Sequence, residues 1–127
     1  MNAKELQSKG DKLLTPLIKL MHPQCEACGQ ETQVAHHFIE KSRSNLLRHD
    51  VRNLIALCNS CHTKIHNRFG NSVTGSIDVF DIIVKKRGKK WYKEIRSLEH
   101  KTIKADSIFW NNKLDELTKL LEEYKQL

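Results

Sequence analysis

Arg52-Asn53-Leu54-Ile55-Ala56-Leu57-Cys58-Asn59-Ser60-Cys61-His62-Thr63-Lys64-Ile65-His66 passes from a strand, through a pair of thiols, into a helix. Leu54 to Leu57 is an apolar run with the length and composition of a short buried strand. Cys58 follows, and with Asn59 or Ser60 as N-cap a helix begins that carries His62 and His66. Those two are four residues apart, so both rings project from one face of one turn, a spacing at which imidazoles chelate a divalent ion. Working back along the chain, residues 34–39 read as a second strand, carrying the adjacent pair His36 and His37. An irregular polar stretch separates the two strands.

Every cysteine of the chain falls in one of two Cys-x-x-Cys pairs, Cys25 with Cys28 and Cys58 with Cys61. Two such knuckles bring four soft thiolates within reach of one ion, and tetrahedral sulfur coordination selects Zn²⁺ in a structural role. Binding of that kind supplies on the order of 10 kcal/mol of apparent folding energy to a small core. Four inert core cysteines, or a thioredoxin-like redox pair, are the other readings. Against them, all four thiols are used and no βαβ pattern surrounds them.

The 127 residues make one domain with one modest core, with 39% apolar and 29% charged side chains. Disorder and a large multidomain enzyme both fit poorly. No uncharged run approaches the roughly 20 residues of a membrane span, and the first dozen residues mix Lys4, Glu5, Lys9, Asp11 and Lys12. No secretory signal is expected, which points to a reducing cytoplasm and to metal-bound thiols in preference to disulfides. The net charge of +7 leans toward a polyanionic partner. It is unevenly spread: residues 106–127 hold three basic and five acidic side chains, net −2, which leaves +9 for residues 1–105.

The flanks read as helices. Leu6, Leu13, Leu14, Leu17, Ile18 and Met21 predict a broken N-terminal helix, with Thr15 as an internal N-cap, Pro16 at the first position of the second piece and Pro23 ending it. Residues 70–76 have loop composition, and Ser76 is expected to cap a helix with Ile77, Phe80, Ile83 and Val84 on its apolar face, stopped by Gly88. A further helix is expected from Lys90 to about Lys101. The last helix, capped by Asp106 or Ser107, shows Trp110, Leu114, Leu117, Leu121 and Tyr124 as one stripe. That stripe packs on its own domain or forms a short dimer seam. The expected divisions of the single domain are an N-terminal helical segment (1–24), a metal-bearing core (25–67) and C-terminal helices (76–127).

The runs Ala35-His36-His37-Phe38-Ile39, then Arg52 to His62, then Ile65-His66, resemble the HNH nuclease motif of the ββα-metal fold, in its zinc-stabilised branch. The signature positions map to His37, Asn53 and His62. The resemblance implies an α+β fold: a small zinc-braced ββα-metal (HNH, or His-Me finger) core with helices before and after. It implies that His37 is the general base, that His36 takes the place of the metal ligand often filled by Asp, and that His62 is the helix-borne ligand. His66 completes the site as in all-histidine members, and Asn53 braces the loop without touching metal. A looser similarity to phage NinG-type recombination nucleases rests on the Ala-x-His-Phe strand and the downstream helices. It carries an expectation of a phage-encoded protein in a bacterial host cell, acting in recombination.

The expected function is divalent-metal-dependent hydrolysis of DNA, duplex or branched, with one catalytic ion (Mg²⁺, Mn²⁺ or Ni²⁺) beside the structural Zn²⁺. Three imidazoles favour a transition metal. Lys41, Arg43, Arg48 and Arg52 lie between the strands and are expected to hold flanking phosphates, as is the run Lys85, Lys86, Arg87, Lys89 and Lys90. A membrane is not expected as a partner; a second copy of the chain, or a phage or host protein, is left open. The rival reading is a non-catalytic zinc-knuckle module that binds nucleic acid or protein.

Overall fold

The computed structural model describes residues 1–66 and 78–127. At its centre β1 (Val34–His37) and β2 (Leu54–Leu57) pair antiparallel, Val34 opposite Leu57, Ala35 opposite Ala56, His36 opposite Ile55 and His37 opposite Leu54. Successive side chains of a strand point to opposite faces, so β2 presents Leu54 and Ala56 to one layer, Ile55 and Leu57 to the other. Helices α1 (Ala3–Met21) and α6 (Ser107–Lys125) form the first layer, closing Leu14, Leu17, Ile18, Leu117 and Leu121 over Leu54 and Ala56. The second layer comes from α3 (Asn59–His66), α4 (Val79–Arg87) and α5 (Lys89–Glu99), whose Ile65, Val79, Ile83 and Ile95 join Ile55 and Leu57. With both faces covered, β2 is apolar throughout and wholly buried. The architecture is the expected α+β one.

Between the strands lie a one-turn helix, α2 (Asn45–Arg48), capped by Ser44, and a 3₁₀ turn at Val51–Asn53. Ahead of β1, the Cys25–Cys28 turn closes through Gly29, whose φ of 82° is in the left-handed region that suits glycine. Glu26 from this turn pairs with β2 through both backbone and side chain: its N–H donates to the Ala56 carbonyl (2.8 Å), and its Oε2 accepts from the Ala56 N–H (2.7 Å).

Several flanking expectations are corrected. The N-terminal helix is unbroken: it starts at an Asn2 cap, which accepts from the Glu5 N–H at 2.9 Å, and Pro16 lies inside it. An interior proline costs about 3 kcal/mol. Burying Leu14, Leu17 and Ile18 returns about 2 kcal/mol each, which carries the helix through. Thr15 is no cap; its hydroxyl accepts from the Ala35 N–H of β1. The fourth helix is capped by Asp78, which accepts from the Phe80 N–H at 2.9 Å; the expected cap Ser76, the loop at residues 70–76 and Ile77 lie outside the described residues. Gly88, at φ 95°, ends α4 and opens α5 at once, and α5 stops at Glu99. Asp106 caps α6, and the stripe of Trp110, Leu117 and Leu121 is buried within the chain's own fold, α6 packing on α1. Among the described residues no helix is long and apolar enough to cross a membrane.

Candidate active site and metal centres

The four cysteines converge. Their sulfurs all lie within 4.8 Å of one another, Cys28 Sγ standing 3.6 Å from Cys58 Sγ. Sulfurs about 2.3 Å from a common tetrahedral ion are about 3.8 Å apart, so the cluster fits Zn²⁺. Burial alone would raise the Cys25 thiol, but backbone N–H donors from Cys58, Cys28 and Ala27 outweigh it and bring the group down to about 7. Cys61 goes the other way, pushed up by burial and by its neighbouring thiols. Four thiols crowded without a cation resist ionising together, and a bound divalent ion removes that conflict.

A second cluster gathers His36, His62 and His66, with ligand nitrogens again within 4.8 Å of one another. His36 comes from β1, while the other two occupy one face of α3, where His62 Nε2 lies 2.9 Å from His66 Nε2. Two nitrogens bound at about 2.1 Å and at right angles on one ion are about 3 Å apart, so this triad also fits a metal. Burial lowers His36 to about 3, helped by repulsion from His62 and His66. Burial, and then His66, lower His62 as well. Rings that stay neutral keep lone pairs for an ion.

His36 and His37 are sequence neighbours but point to opposite faces of β1. His36 turns toward α3; His37 turns toward the α1 layer. Both still border one cavity of about 700 Å³, which His62, His66, Lys41, Arg43, Asp11 and Arg96 also line. His37 Nε2 is 2.8 Å from the Arg48 carbonyl. A carbonyl only accepts, so Nε2 carries the hydrogen and Nδ1 keeps its lone pair. Burial lowers the His37 pKa, so the ring is neutral at physiological pH.

Asn53 is fully buried. Its Oδ1 accepts from the Ile39 N–H (2.7 Å), and its Nδ2 donates to the carbonyls of Ile39 (3.0 Å) and Leu47 (3.3 Å). It thus ties the end of β1 to α2.

The residues expected to hold phosphates divide into two groups. Lys41 and Arg43 are exposed on the cavity rim, Arg43 loosely paired with Glu40, and Lys85, Lys86, Lys89 and Lys90 are exposed around Gly88. The other three have partners inside the protein. Arg48 makes a two-pronged pair with Asp11 (3.0 and 2.7 Å) and Arg52 pairs with Asp50 and Glu94. Arg87 holds Glu26 (2.8 and 2.9 Å) and the carbonyls of Leu54 and Arg52, the latter also taking the Trp91 Nε1–H. Their charges are committed to the fold.

Arg96 was not anticipated. It is half-buried on the cavity wall, over the rings of Phe38 (5.6 Å) and Tyr92 (5.2 Å), and bonded to Glu99 at 2.9 Å. In the sequence Asp11 is one charge among those of the N-terminal segment. Neither has a local sequence signal, because each acquires its neighbours from a distant element.

A paired-strand hairpin followed by a helix, with a thiol cluster suited to Zn²⁺ beside it and a histidine cluster across it, is a small α+β arrangement of the ββα-metal kind. Residues 25–68 match the family model for HNH endonuclease. No curated protein and no solved structure matches the chain.

Proposed function

We propose that the protein is a divalent-metal-dependent endonuclease that hydrolyses DNA phosphodiester bonds. The observation that carries this reading is the His37 ring, fixed by the Arg48 carbonyl with Nδ1 free, on the same cavity as the His36, His62 and His66 triad. A divalent ion held by those three imidazoles would supply Lewis-acid neutralisation of the charge that builds on the phosphate. The thiol cluster, filled by Zn²⁺, supplies stability.

The chain's own groups account for the rest. His37 Nδ1 takes a proton from a water molecule as its oxygen attacks phosphorus, a task suited to an imidazole that is neutral at pH 7. The P–O3′ bond breaks in line; the leaving 3′ oxygen is protonated by water, giving a 5′ phosphate and a 3′ hydroxyl. Asn53 holds the loop from which the Arg48 carbonyl projects. Lys41 and Arg43 hold flanking phosphates at the rim, and Lys85, Lys86, Lys89 and Lys90 extend the contact surface. Arg48, Arg52 and Arg87, paired with carboxylates of the fold, shape that surface. Action in phage recombination on branched duplexes is the finer reading, carried by the NinG-type resemblance alone.

The test is cleavage of supercoiled plasmid and of a branched duplex with Mn²⁺, Ni²⁺, Mg²⁺ or EDTA, beside His37→Ala. The expected result is metal-dependent nicking that His37→Ala abolishes. Metal-independent cutting, or a His37→Ala variant as active as its parent, overturns the mechanism. Binding without cutting under every ion replaces it with the zinc-knuckle binding module.

A further inference from the structure

The geometry points to Asp11, on α1 and outside the HNH segment, as the positioning residue that holds the base histidine's anchor in place. The inference rests on the nuclease reading for its consequence in catalysis, but its structural content stands apart from that reading.

His37 depends on one atom for its tautomer, the Arg48 carbonyl. That carbonyl closes α2, a helix of a single turn. A single turn has no cooperative ladder of its own, so the direction of its last peptide is set by what clamps the turn from outside. Asn53 and the Ser44 cap secure Leu47. Arg48 and His49, the next two residues, are secured by one carboxylate. Asp11 Oδ1 accepts from Arg48 Nε at 3.0 Å and from His49 Nε2 at 2.9 Å, and Oδ2 accepts from Arg48 Nη2 at 2.7 Å. The bonded fork fixes orientation as well as distance.

The helix is shaped for this contact. A Cβ added to Gly10 would lie 2.2 Å from His49 Cε1, so only a residue without a side chain lets the His49 ring reach Asp11. Trp110 of α6 packs edge-on against that ring, with centroids 5.0 Å apart. Asp11 borders the catalytic cavity, yet its oxygens are taken up by three donors. It therefore works through Arg48, and not as a metal ligand or a second base. A carboxylate reaching in from α1 also matches the strand geometry, which turns His37 toward that layer.

Asp11→Asn tests this, because the amide replaces one acceptor of the fork with a donor facing a guanidinium. The zinc-loaded protein is examined with Mg²⁺ at pH 8 by ¹⁵N spectroscopy of the His37 ring, and by plasmid cleavage resolved into kcat and KM. The parent should show one neutral tautomer, with hydrogen on Nε2. Asp11→Asn should show a mixture of tautomers, with kcat down about tenfold and KM changed by less than about twofold. If Asp11→Asn does not fold, Arg48→Gln, which keeps the carbonyl and the Asp11–His49 bond, is read in the same way. A His37 spectrum identical to the parent's overturns the proposal, whatever happens to kcat. If the parent never cuts DNA, the nuclease reading fails, and the tautomer shift still decides the role of Asp11.

Discussion

Replacing Asn53 separates two effects that most substitutions in this core would mix. Asn53→Ala deletes three buried hydrogen bonds, to the Ile39 N–H, the Ile39 carbonyl and the Leu47 carbonyl. At about 1 kcal/mol each the loss is about 3 kcal/mol, which for a chain of this size lowers Tm by roughly 10 °C. Asn53→Asp is nearly isosteric and keeps the bond from the Ile39 N–H. It nevertheless places a carboxylate oxygen 3.0 Å and 3.3 Å from two carbonyl oxygens, in a site without solvent. A buried acceptor facing acceptors is worse than an empty space, so Asn53→Asp should be the less stable of the two by at least about 1 kcal/mol. Urea unfolding of the zinc-loaded proteins at pH 7.5 gives the order directly. Plasmid cleavage should fall by about a hundredfold in either variant, because the loop that presents the Arg48 carbonyl is released. An Asn53→Asp protein as stable as its parent would refute the assignment of Nδ2 as a donor to both carbonyls, and with it the bracing role.

Other expectations are briefer. Cys58→Ser should lower bound zinc from about one ion per chain to none and abolish the cooperative unfolding transition; an unchanged Tm with full zinc content contradicts the four-thiolate site. Gly10→Ala should cost about 1–3 kcal/mol in denaturant unfolding, because the added methyl meets the His49 ring at 2.2 Å; a neutral effect would mean that His49 does not pack on α1. Burial holds His49 below the ordinary histidine value despite its bond to Asp11, with Arg48 and Lys113 adding repulsion. The unfolded chain therefore takes up that proton first, and stability, complete above pH about 6.5, is lost as pH falls from there toward the folded-state value. His49→Gln should flatten that part of a Tm-against-pH curve relative to the parent. Lys85→Ala with Lys86→Ala should weaken DNA binding and reduce its salt slope by about two, whereas Arg87→Ala should lower stability.

The parts of this molecule that could be read from residue order are those whose chemistry is local. Cys-x-x-Cys pairs and histidines four apart on a helix bring their ligands together by short-range geometry, and a four-residue apolar run bounded by polar segments is a strand in most settings. The resemblance to the HNH motif, and the match of residues 25–68 to its family model, rest on these. What could not be read depends on elements meeting across the fold. Arg48, Arg52 and Arg87 are indistinguishable in the sequence from Lys41 or Lys86, and only the approach of Asp11, Asp50 with Glu94, and Glu26 turns them into struts of the fold, Arg52 at its surface. Pro16 is the reverse case. Its local rule predicted a break, and the apolar face of α1 overrode it because the helix has β2 and α6 to pack on.

Among the described residues the sheet has two strands, which leaves β2 with an outer side where a third would ordinarily pair. Arg87, Trp91 and Glu26 occupy that side. Between them they bond the carbonyls of Arg52, Leu54 and Ala56 and the N–H of Ala56, the positions an incoming chain would need. A charged pair, an indole and a turn held by the thiol cluster thus do the work of a missing strand, and they do it with groups that cannot template another copy. An open strand edge as apolar as Leu54 to Leu57 invites edge-to-edge association. Losing Arg87 would expose that edge. The damage would then be read as aggregation under conditions where the rest of the fold survives.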